Sequence, residues 1–442
     1  MILSNRSGAK VRPDPLHLKE VRPLGTRDEG DYIKIVAEAI VLPPDRCPEC
    51  GHQPLYKHGK RTYQYADTAM HGKPVKVEIE RQRYRCKACG KIETPPIESL
   101  DDKRIATRRL IRHIESKCFS NTFTALADET GLAVNTIKSI ALDYMARLDE
   151  TYVRETPRIM GVDEVKICGS YCAVITNLEM RTTFDILQKR TKDVITPYFR
   201  NLKDKDKVEW VALDMWGPYK DVLSQELPHA RMVIDRYHVM EKASKTLDSL
   251  RIKIQSELEK DGRINMKKHL RWGLLRRNEK RTPEDDEKLE YIRAHHPGLA
   301  RAYDLAEAFH NLYELDDRIE AEEAFEEWVR SIPPEYAESF GQVARMVNKH
   351  HRNIFNYFDL KITNAFTEAS NGLMKLANRM GRGYSFEITR GRYLYSKIAS
   401  QTGQVITHEG TPKSITDPVA VWGNARVTDY GRYISEFDGD DD

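Results

Sequence analysis

Two Cys-x-x-Cys-Gly motifs constrain this chain more than any other feature of its sequence. The first occupies residues 47–51 and the second residues 86–90. Each motif presents two thiolates one tight turn apart, and two such turns can offer four sulfurs to a tetrahedral Zn²⁺. We therefore predict a structural zinc ribbon within an N-terminal region of residues 1–100, with the ligands Cys47, Cys50, Cys86 and Cys89.

The segment between the two motifs must form a structure of its own, because 35 residues separate Cys50 from Cys86. Apolar and charged residues alternate over 74–85, which predicts a half-buried strand that runs into the second motif. A redox role is disfavoured, since there are two Cys pairs and neither begins a β-α-β unit. Four unrelated buried cysteines are the remaining alternative, and the repetition of the whole motif argues against it.

The charge of the chain is balanced overall but uneven along its length. It has 71 basic and 68 acidic residues, whereas residues 57–117 have 16 Lys and Arg against 8 Asp and Glu. Local clustering of positive charge favours a nucleic-acid partner more than the total charge does. No apolar run approaches the roughly 18 residues that cross a bilayer, so we expect no membrane segment and a cytoplasmic location.

Residues 101–150 have the pattern of a helix-turn-helix DNA-binding domain. Apolar residues at helical spacing run through 105–114, a second helix is predicted at 122–129, and Gly131 makes the turn into a third helix at 134–148. An ordinary pair of packed helices is the alternative. We expect phosphate contacts from basic residues before the motif and base contacts from the start of the third helix: Arg108, Arg109, Arg112, Asn135, Thr136 and Lys138.

Residues 157–240 predict an α/β domain with a mixed sheet. The predicted order is three strands, a helix, a strand, a helix and a fifth strand. Asp163, Asp214 and Asp235 each follow an apolar strand segment directly. Active sites of α/β proteins are usually built where strands end, so Asp163 and Asp214 are candidate ligands for Mg²⁺ or Mn²⁺, and Asp235 is a candidate accessory residue. We treat Glu164 as a lesser candidate, because the pleat of the strand should turn it away.

A helical insertion is predicted at 241–360, and the helix that follows it at 366–380 has a polar face. Glu368, Asn371, Lys375 and Arg379 are spaced three or four residues apart and therefore share that face. One carboxylate, one amide and two cations in a row suit a metal at one end and phosphates at the other. An ordinary solvated face is the alternative.

The sequence resembles bacterial insertion-sequence transposases of the ISL3 group, which have a zinc ribbon, a helix-turn-helix and a DDE active site. The resemblance covers roughly residues 40–400, with its motifs in the order of the family. The motifs are the four cysteines, Gly161-Val-Asp163-Glu164, Leu213-Asp214-Met-Trp-Gly-Pro-Tyr219, Asp235-Arg-Tyr-His238-Val239, and Thr367-Glu368-Ala-Ser-Asn371 with Lys375, Arg379, Gly383 and Tyr384.

This resemblance implies an RNase H-like nuclease whose DDE triad is Asp163, Asp214 and Glu368. It implies metal-dependent cleavage at the ends of the element and joining of the 3′-hydroxyl to target DNA. The expected partners are double-stranded DNA, both terminal inverted repeats and target, and further copies of the chain in a dimer or larger complex at the nucleoid. The catalytic domain is expected to end with helices at 361–405, before a C-terminal tail at 406–442.

We expect Asp235, His238 and Asn371 to have accessory roles in the DDE active site. We expect His238 to hydrogen-bond the backbone or a DNA phosphate rather than a metal, since imidazole suits Zn²⁺ better than Mg²⁺. Two other functions stay open. A non-catalytic DNA-binding regulator would need only the ribbon and the helix-turn-helix, and a Holliday-junction or RNA-hybrid nuclease would not need two DNA-reading modules.

Overall fold

The structure is a computed structural model that describes residues 14–276, 281–381 and 383–401. The chain forms two compact units. The first extends to Val153 and also includes the segment that begins at Gly381, and the second extends from Arg154 to Met380. The tail expected at 406–442 lies outside the described residues.

The first unit contains a mostly antiparallel sheet with the strand order β1-β2-β4-β3-β7-β6, and β5 pairs with β4. Every second side chain of β2 and of most of β4 is buried, so this sheet has one apolar face. The predicted strand at 74–85 is confirmed as β4. The strands are β1 (Val21–Asp28), β2 (Ile33–Ala39), β3 (Leu55–Met70), β4 (Lys73–Cys86), β5 (Ile92–Glu93), β6 (Leu100–Asp101) and β7 (Ala106–Thr107).

Three helices follow in the first unit: α1 (Arg108–Lys117), α2 (Phe123–Thr130) and α3 (Val134–Thr151). The side chains of Thr107 and Thr122 cap α1 and α2, and α2 ends at Gly131, which has a φ of 70°. A residue with a side chain is strained at that φ, which explains the glycine at this turn. The helices share a core with the last described helix, Phe386–Gln401. The structure therefore divides the expected 361–405 segment between the two units.

The second unit contains a mixed five-stranded sheet with the order β10-β9-β8-β11-β12. The central strand β8 is parallel to β11 and antiparallel to β9, and β11 is parallel to β12. Alternate side chains of these strands enter two cores, one on each face of the sheet. The five strands occur in the predicted order: β8 (Ile159–Ile167), β9 (Ser170–Asn177), β10 (Thr182–Leu187), β11 (Trp210–Leu213) and β12 (Arg231–Ile234).

Helices cover both faces of this sheet. One face packs against α4 (Lys192–Arg200) and α5 (Gly217–Glu226). The other face packs against the helical insertion, which begins with α6 (Arg236–Glu257) directly after β12. No strand occurs among the described residues between β12 and α15, as predicted for the insertion. The helices are α4 (Lys192–Arg200), α5 (Gly217–Glu226), α6 (Arg236–Glu257), α7 (Lys260–Asn265), α8 (Arg271–Leu275), α9 (Pro283–His295), α10 (Pro297–Asn311), α11 (Arg318–Ser331), α12 (Ser339–Lys349), α13 (His351–Phe355), α14 (Tyr357–Leu360) and α15 (Ala365–Met380).

One strand is longer than predicted. The sequence pattern placed Asp163 at the end of a short strand, but β8 continues to Ile167 and pairs with β9 along its length. Asp163 therefore lies inside β8, although it directly follows the part of β8 that pairs with β11. Within the described part of the chain, no helix is long and apolar enough to span a membrane.

Candidate functional site

The register of the second sheet brings three aspartates to the same level. Leu213 is the pairing partner of Val162 on one side and of Ile234 on the other. The next residue along each strand is Asp163, Asp214 or Asp235. Because the three strands are parallel, these aspartates lie beside one another at the edge where β11 and β12 end and past which β8 continues.

α15 reaches this edge because β8 has no side chain at Gly161. A Cβ at this position would lie 2.4 Å from Thr176 Oγ1, 2.5 Å from Thr367 Oγ1 and 2.6 Å from Asn364 Oδ1. The Thr367 hydroxyl also lies 2.7 Å from that of Thr176 and donates to Asn364 Oδ1 at 2.5 Å. The start of α15 is therefore fixed directly on the sheet, one residue before Glu368.

Asn371 joins the helix to the central carboxylate. Its Nδ2 donates to Asp163 Oδ2 at 2.8 Å and to the backbone oxygen of Glu164 at 3.1 Å. Both Asn371 and Asp163 are buried. Further along the helix, Lys375 and Arg379 are exposed. The polar face predicted for α15 thus has a buried end at the sheet and an exposed cationic end.

Glu368 forms a close group with Asp235 and His238, at the start of α6. One side-chain oxygen of Asp235, one ring nitrogen of His238 and one oxygen of Glu368 all lie within 4.8 Å of one another. His238 Nε2 is 3.8 Å from Glu368 Oε1. Among the described residues, Asp163 and Asp214 do not join this group at ligand distance. Asp214 Oδ1 instead accepts the backbone N–H of Trp216 at 2.8 Å.

Burial and mutual repulsion make these carboxylates hold protons more tightly than usual. Burial raises the pKa of Asp163 to about 6, and the negative charge of Asp214 adds to this. Burial also raises the pKa of Glu368 to about 7, with Asp235 contributing and His238 opposing. The pKa of Asp235 is raised chiefly by burial. A divalent cation would relieve this repulsion, and oxygen-rich donors suit Mg²⁺ or Mn²⁺. The donor set therefore fits a hard cation.

Glu164 is engaged elsewhere, in line with the expected pleat. Its carboxylate pairs with Arg190, whose guanidinium carbon lies 4.6 Å from the ring centres of both Tyr171 and Trp216. The sequence did not reveal this contact of Arg190 with two aromatic rings. Arg190 lies in a loop after β10, and no periodic pattern connects it to the other members of the group.

The four predicted zinc ligands converge in the first unit. All four Sγ atoms lie within 4.8 Å of one another, and those of Cys47 and Cys89, and of Cys50 and Cys86, are 3.6 Å apart. Sulfurs placed tetrahedrally at about 2.3 Å from zinc are separated by about 3.8 Å. Each Cys-x-x-Cys turn is closed by a hydrogen bond from its glycine to its first cysteine. The cysteines therefore fit a structural zinc ion.

The residues expected to contact DNA differ in their exposure. Asn135 and Lys138 at the start of α3 are exposed, and Thr136 is half-buried. Arg108 and Arg112 on α1 are exposed as well.

Arg109, between them on α1, is an exception to the expected phosphate contacts. Its guanidinium pairs with the buried carboxylate of Asp67 and donates to the backbone oxygen of Leu16. Since these groups are within the unit, the structure favours a structural role for Arg109. The sequence could not show this, because Asp67 is 42 residues away.

Two protein-family models match the chain. A DDE-type family model of the ISL3 group, described as a transposase, matches residues 160–392. A second model, described as the zinc-finger of transposases IS204, IS1001, IS1096 and IS1165, matches residues 43–89. The first match covers the sheet, the insertion and α15, and the second covers all four cysteines.

Two similar transposases extend the match over most of the chain. The transposase for insertion sequence element IS1001 of Bordetella parapertussis is 22% identical over 378 residues, which cover 83% of this chain and 90% of that protein. The transposase for IS1557 of Mycobacterium tuberculosis, strain CDC 1551 / Oshkosh, is 21% identical over 391 residues, which cover 81% and 87%. The family match spans more than half of the sequence, and the chain belongs to the ISL3 group of insertion-sequence transposases.

Proposed function

We propose that this transposase cleaves DNA at the ends of its insertion sequence and joins the released 3′-hydroxyl to target DNA by a DDE mechanism. Asp163, Asp214 and Glu368 are the proposed catalytic carboxylates. The observation that carries this proposal is their placement: two aspartates at one level of a parallel strand pair, and a glutamate on a helix fixed against the same strand.

The arrangement of the second unit supports an RNase H-like assignment of the catalytic domain. Three antiparallel strands are followed by two parallel ones, and a helical insertion precedes the helix of Glu368. In the first unit, we interpret α2, the Gly131 turn and α3 as the helix-turn-helix. Its second helix would enter the major groove with Asn135, Thr136 and Lys138 toward the bases.

Each side chain of the proposed active site has a distinct task. Divalent cations bound here would activate the attacking oxygen and neutralise charge on the scissile phosphate. Asp163 occupies the centre, because its strand lies between β9 and β11, and Asn371 fixes one of its oxygens. Asp214 follows the neighbouring strand β11, and Glu368 lies on α15, whose start contacts β8 at Gly161. Lys375 and Arg379 are exposed along the same helix and can hold flanking DNA phosphates.

The direct test uses a labelled duplex that carries the boundary between the element and its flanking DNA. The purified chain is incubated with this duplex and Mg²⁺ or Mn²⁺, and nicks are mapped to the nucleotide. We expect strand cleavage at the boundary and none with a duplex of shuffled end sequence. Binding of the end sequence without any cleavage would favour the regulator over the transposase activity.

The first prediction concerns the two exposed arginines of α1. Arg108→Ala and Arg112→Ala should each weaken binding to every duplex, because a phosphate contact carries little sequence information. Each loss should reduce the slope of log binding constant against log salt by about one. Fluorescence titrations between about 50 and 200 mM salt measure that slope.

Arg109→Ala is the matched control for these variants. Its guanidinium pairs with a carboxylate that is only 2% exposed, so its loss leaves a buried charge without its partner. We expect a lower melting temperature and an unchanged salt slope. A reduced slope for Arg109→Ala, with no change for Arg108→Ala and Arg112→Ala, would reverse the assignment.

A second prediction follows from the raised pKa values of Asp163 and Glu368, about 6 and about 7. These carboxyl groups hold protons more tightly when folded than when unfolded. Their favourable contribution to stability is therefore complete at low pH and is lost as the pH rises through about 6 to 7. A cation competes with the protons, so Mg²⁺ should raise the melting temperature more at pH 8 than at pH 5.5.

Thermal melts with and without Mg²⁺ at the two pH values test this. Asp163→Asn and Glu368→Gln should each reduce the pH dependence of the Mg²⁺ effect, whereas Glu164→Gln should preserve it because its carboxylate pairs with Arg190. An equal Mg²⁺ effect at both pH values in the wild-type chain would contradict the prediction.

A further inference from the structure

We propose that Asp235, His238 and Glu368 form a cation site with a nitrogen ligand, which binds Mn²⁺ and similar transition-metal ions in preference to Mg²⁺. The site shares Glu368 with the proposed catalytic set, and in this respect it deepens the proposed function. It adds two residues to which that function gives only an accessory role, and it predicts a metal preference that Asp163, Asp214 and Glu368 alone would not produce.

Two of the three ligands are adjacent on one helix. Asp235 follows β12 directly and caps α6, where its Oδ1 accepts the backbone N–H of Tyr237 at 3.2 Å. His238 is three residues further on, so the two side chains lie on the same side of the first turn. Asp235 is only 2% exposed, and the carboxylate is therefore fixed by both the cap and its burial.

The third ligand comes from α15, which is fixed on β8 at Gly161. One ligand atom from each of the three residues lies within 4.8 Å of the other two. Ligand atoms about 2.1 Å from a single ion are separated by about 3.0–4.2 Å, depending on the coordination geometry. The 3.8 Å between His238 Nε2 and Glu368 Oε1 lies within that range. A single ion can therefore be reached by all three side chains.

The ring nitrogen of His238 also indicates a missing ligand. Its Nε2 is buried and has no hydrogen-bond partner among the described residues. A buried polar atom without a partner is unusual and calls for a ligand that would satisfy it. The atom lies beside the carboxylates of Asp235 and Glu368. A cation bound by all three side chains would give the nitrogen the partner that it lacks.

The choice of ion follows from the donor atoms. Mg²⁺ prefers oxygen ligands and keeps several of its waters, whereas imidazole suits transition metals. A site with one nitrogen and two carboxylate oxygens should therefore favour Mn²⁺ over Mg²⁺. Removing the imidazole should decrease that preference, while removing a carboxylate should weaken the binding of both ions.

The experiment is a Mn²⁺ titration of the full chain without DNA, followed by electron paramagnetic resonance and with Mg²⁺ as competitor. Zinc content is measured first, so that the cysteine site is known to be filled. His238→Ala should weaken Mn²⁺ binding by about 10-fold or more and change Mg²⁺ binding much less. Asp235→Asn should weaken both, and its fold should survive because asparagine is also a good helix cap.

His269→Ala is the control, since His269 is exposed on the helical insertion and far along the chain from the three ligands. It should leave both affinities unchanged. The proposal is overturned if His238→Ala retains wild-type Mn²⁺ affinity, and a loss of DNA binding alone in that variant would identify His238 as a phosphate contact. If Mn²⁺ binding behaves as proposed while Asp163→Asn still cleaves DNA, only the proposed function fails.

Discussion

Asp163→Asn should reduce DNA cleavage by at least roughly 10³-fold while leaving DNA binding intact. The substitution keeps the shape of the side chain and removes one negative charge from the centre of the proposed active site. Asn371 can still approach it, because an amide oxygen accepts the hydrogen bond that Asp163 Oδ2 now accepts from Asn371 Nδ2 at 2.8 Å. The loss should therefore come from cation binding and not from the fold.

Asp214→Asn and Glu368→Gln should cause losses of the same order, because each removes one carboxylate from the same phosphoryl-transfer site. Cleavage is measured on the labelled end duplex under single-turnover conditions, and binding on the same duplex with Ca²⁺ in place of Mg²⁺. Wild-type melting temperatures for the three variants would establish that the fold is retained.

Glu164→Gln is the matched control, since Glu164 adjoins Asp163 in sequence but its carboxylate pairs with Arg190. It should change cleavage far less than the three catalytic substitutions. If Glu368→Gln cleaves at the wild-type rate and Glu164→Gln does not, the third ligand has been misassigned. The position of α15 would then serve the fold alone.

The carboxylate edge of the sheet could be predicted because its signals are local. Apolar runs followed by Asp163, Asp214 and Asp235 reveal the three strands and the carboxyl ends of β11 and β12. The pairing of the parallel strands then places the three aspartates at one level. The length of β8 was underestimated, although Val165 and Ile167 alternate with Glu164 and Lys166 past Asp163, because this short alternation shows as a strand only through its pairing with β9.

Contacts between distant parts of the chain explain the other differences. Arg109 has the same local context as Arg108 and Arg112, and only its pairing with Asp67 on β3 distinguishes it. The proximity of Asp235, His238 and Glu368 depends on a helical insertion that returns the chain to the sheet after more than 100 residues. Spacing within a motif carries no information about such a return.

The second large effect that we expect is from Cys86→Ser, which should release zinc and disorder the segments around the two cysteine motifs. Structural zinc contributes about 10–16 kcal/mol of binding free energy in small zinc-finger peptides, so the loss of one thiolate can exceed the stability of the segment that it organises. Cys86 is the last residue of β4 and pairs with Leu55 of β3. The loosening should therefore start at this end of the hairpin.

The effect should remain local, because the buried alternation along β2 and β4 gives the sheet an apolar core of its own. We expect hydrogen exchange to accelerate around residues 47–57 and 84–93 and to stay at the wild-type rate in β8, β11 and α15. Metal analysis should show one zinc per wild-type chain and little or none per variant chain.

Cys118→Ser provides the comparison for this variant. Cys118 is buried among α1 and α3, far in sequence from both cysteine motifs, and its Sγ donates to the backbone oxygen of Glu115 at 3.2 Å. A serine hydroxyl can keep that bond, so zinc content and exchange at the cysteine motifs should match the wild type. Zinc-free wild-type protein that keeps the slow exchange of the zinc-loaded protein would show that the four thiols hold this region without a metal. If instead both variants lose zinc equally, the loss reflects general destabilisation of the first unit, because Cys118 lies outside the group of four converging sulfurs.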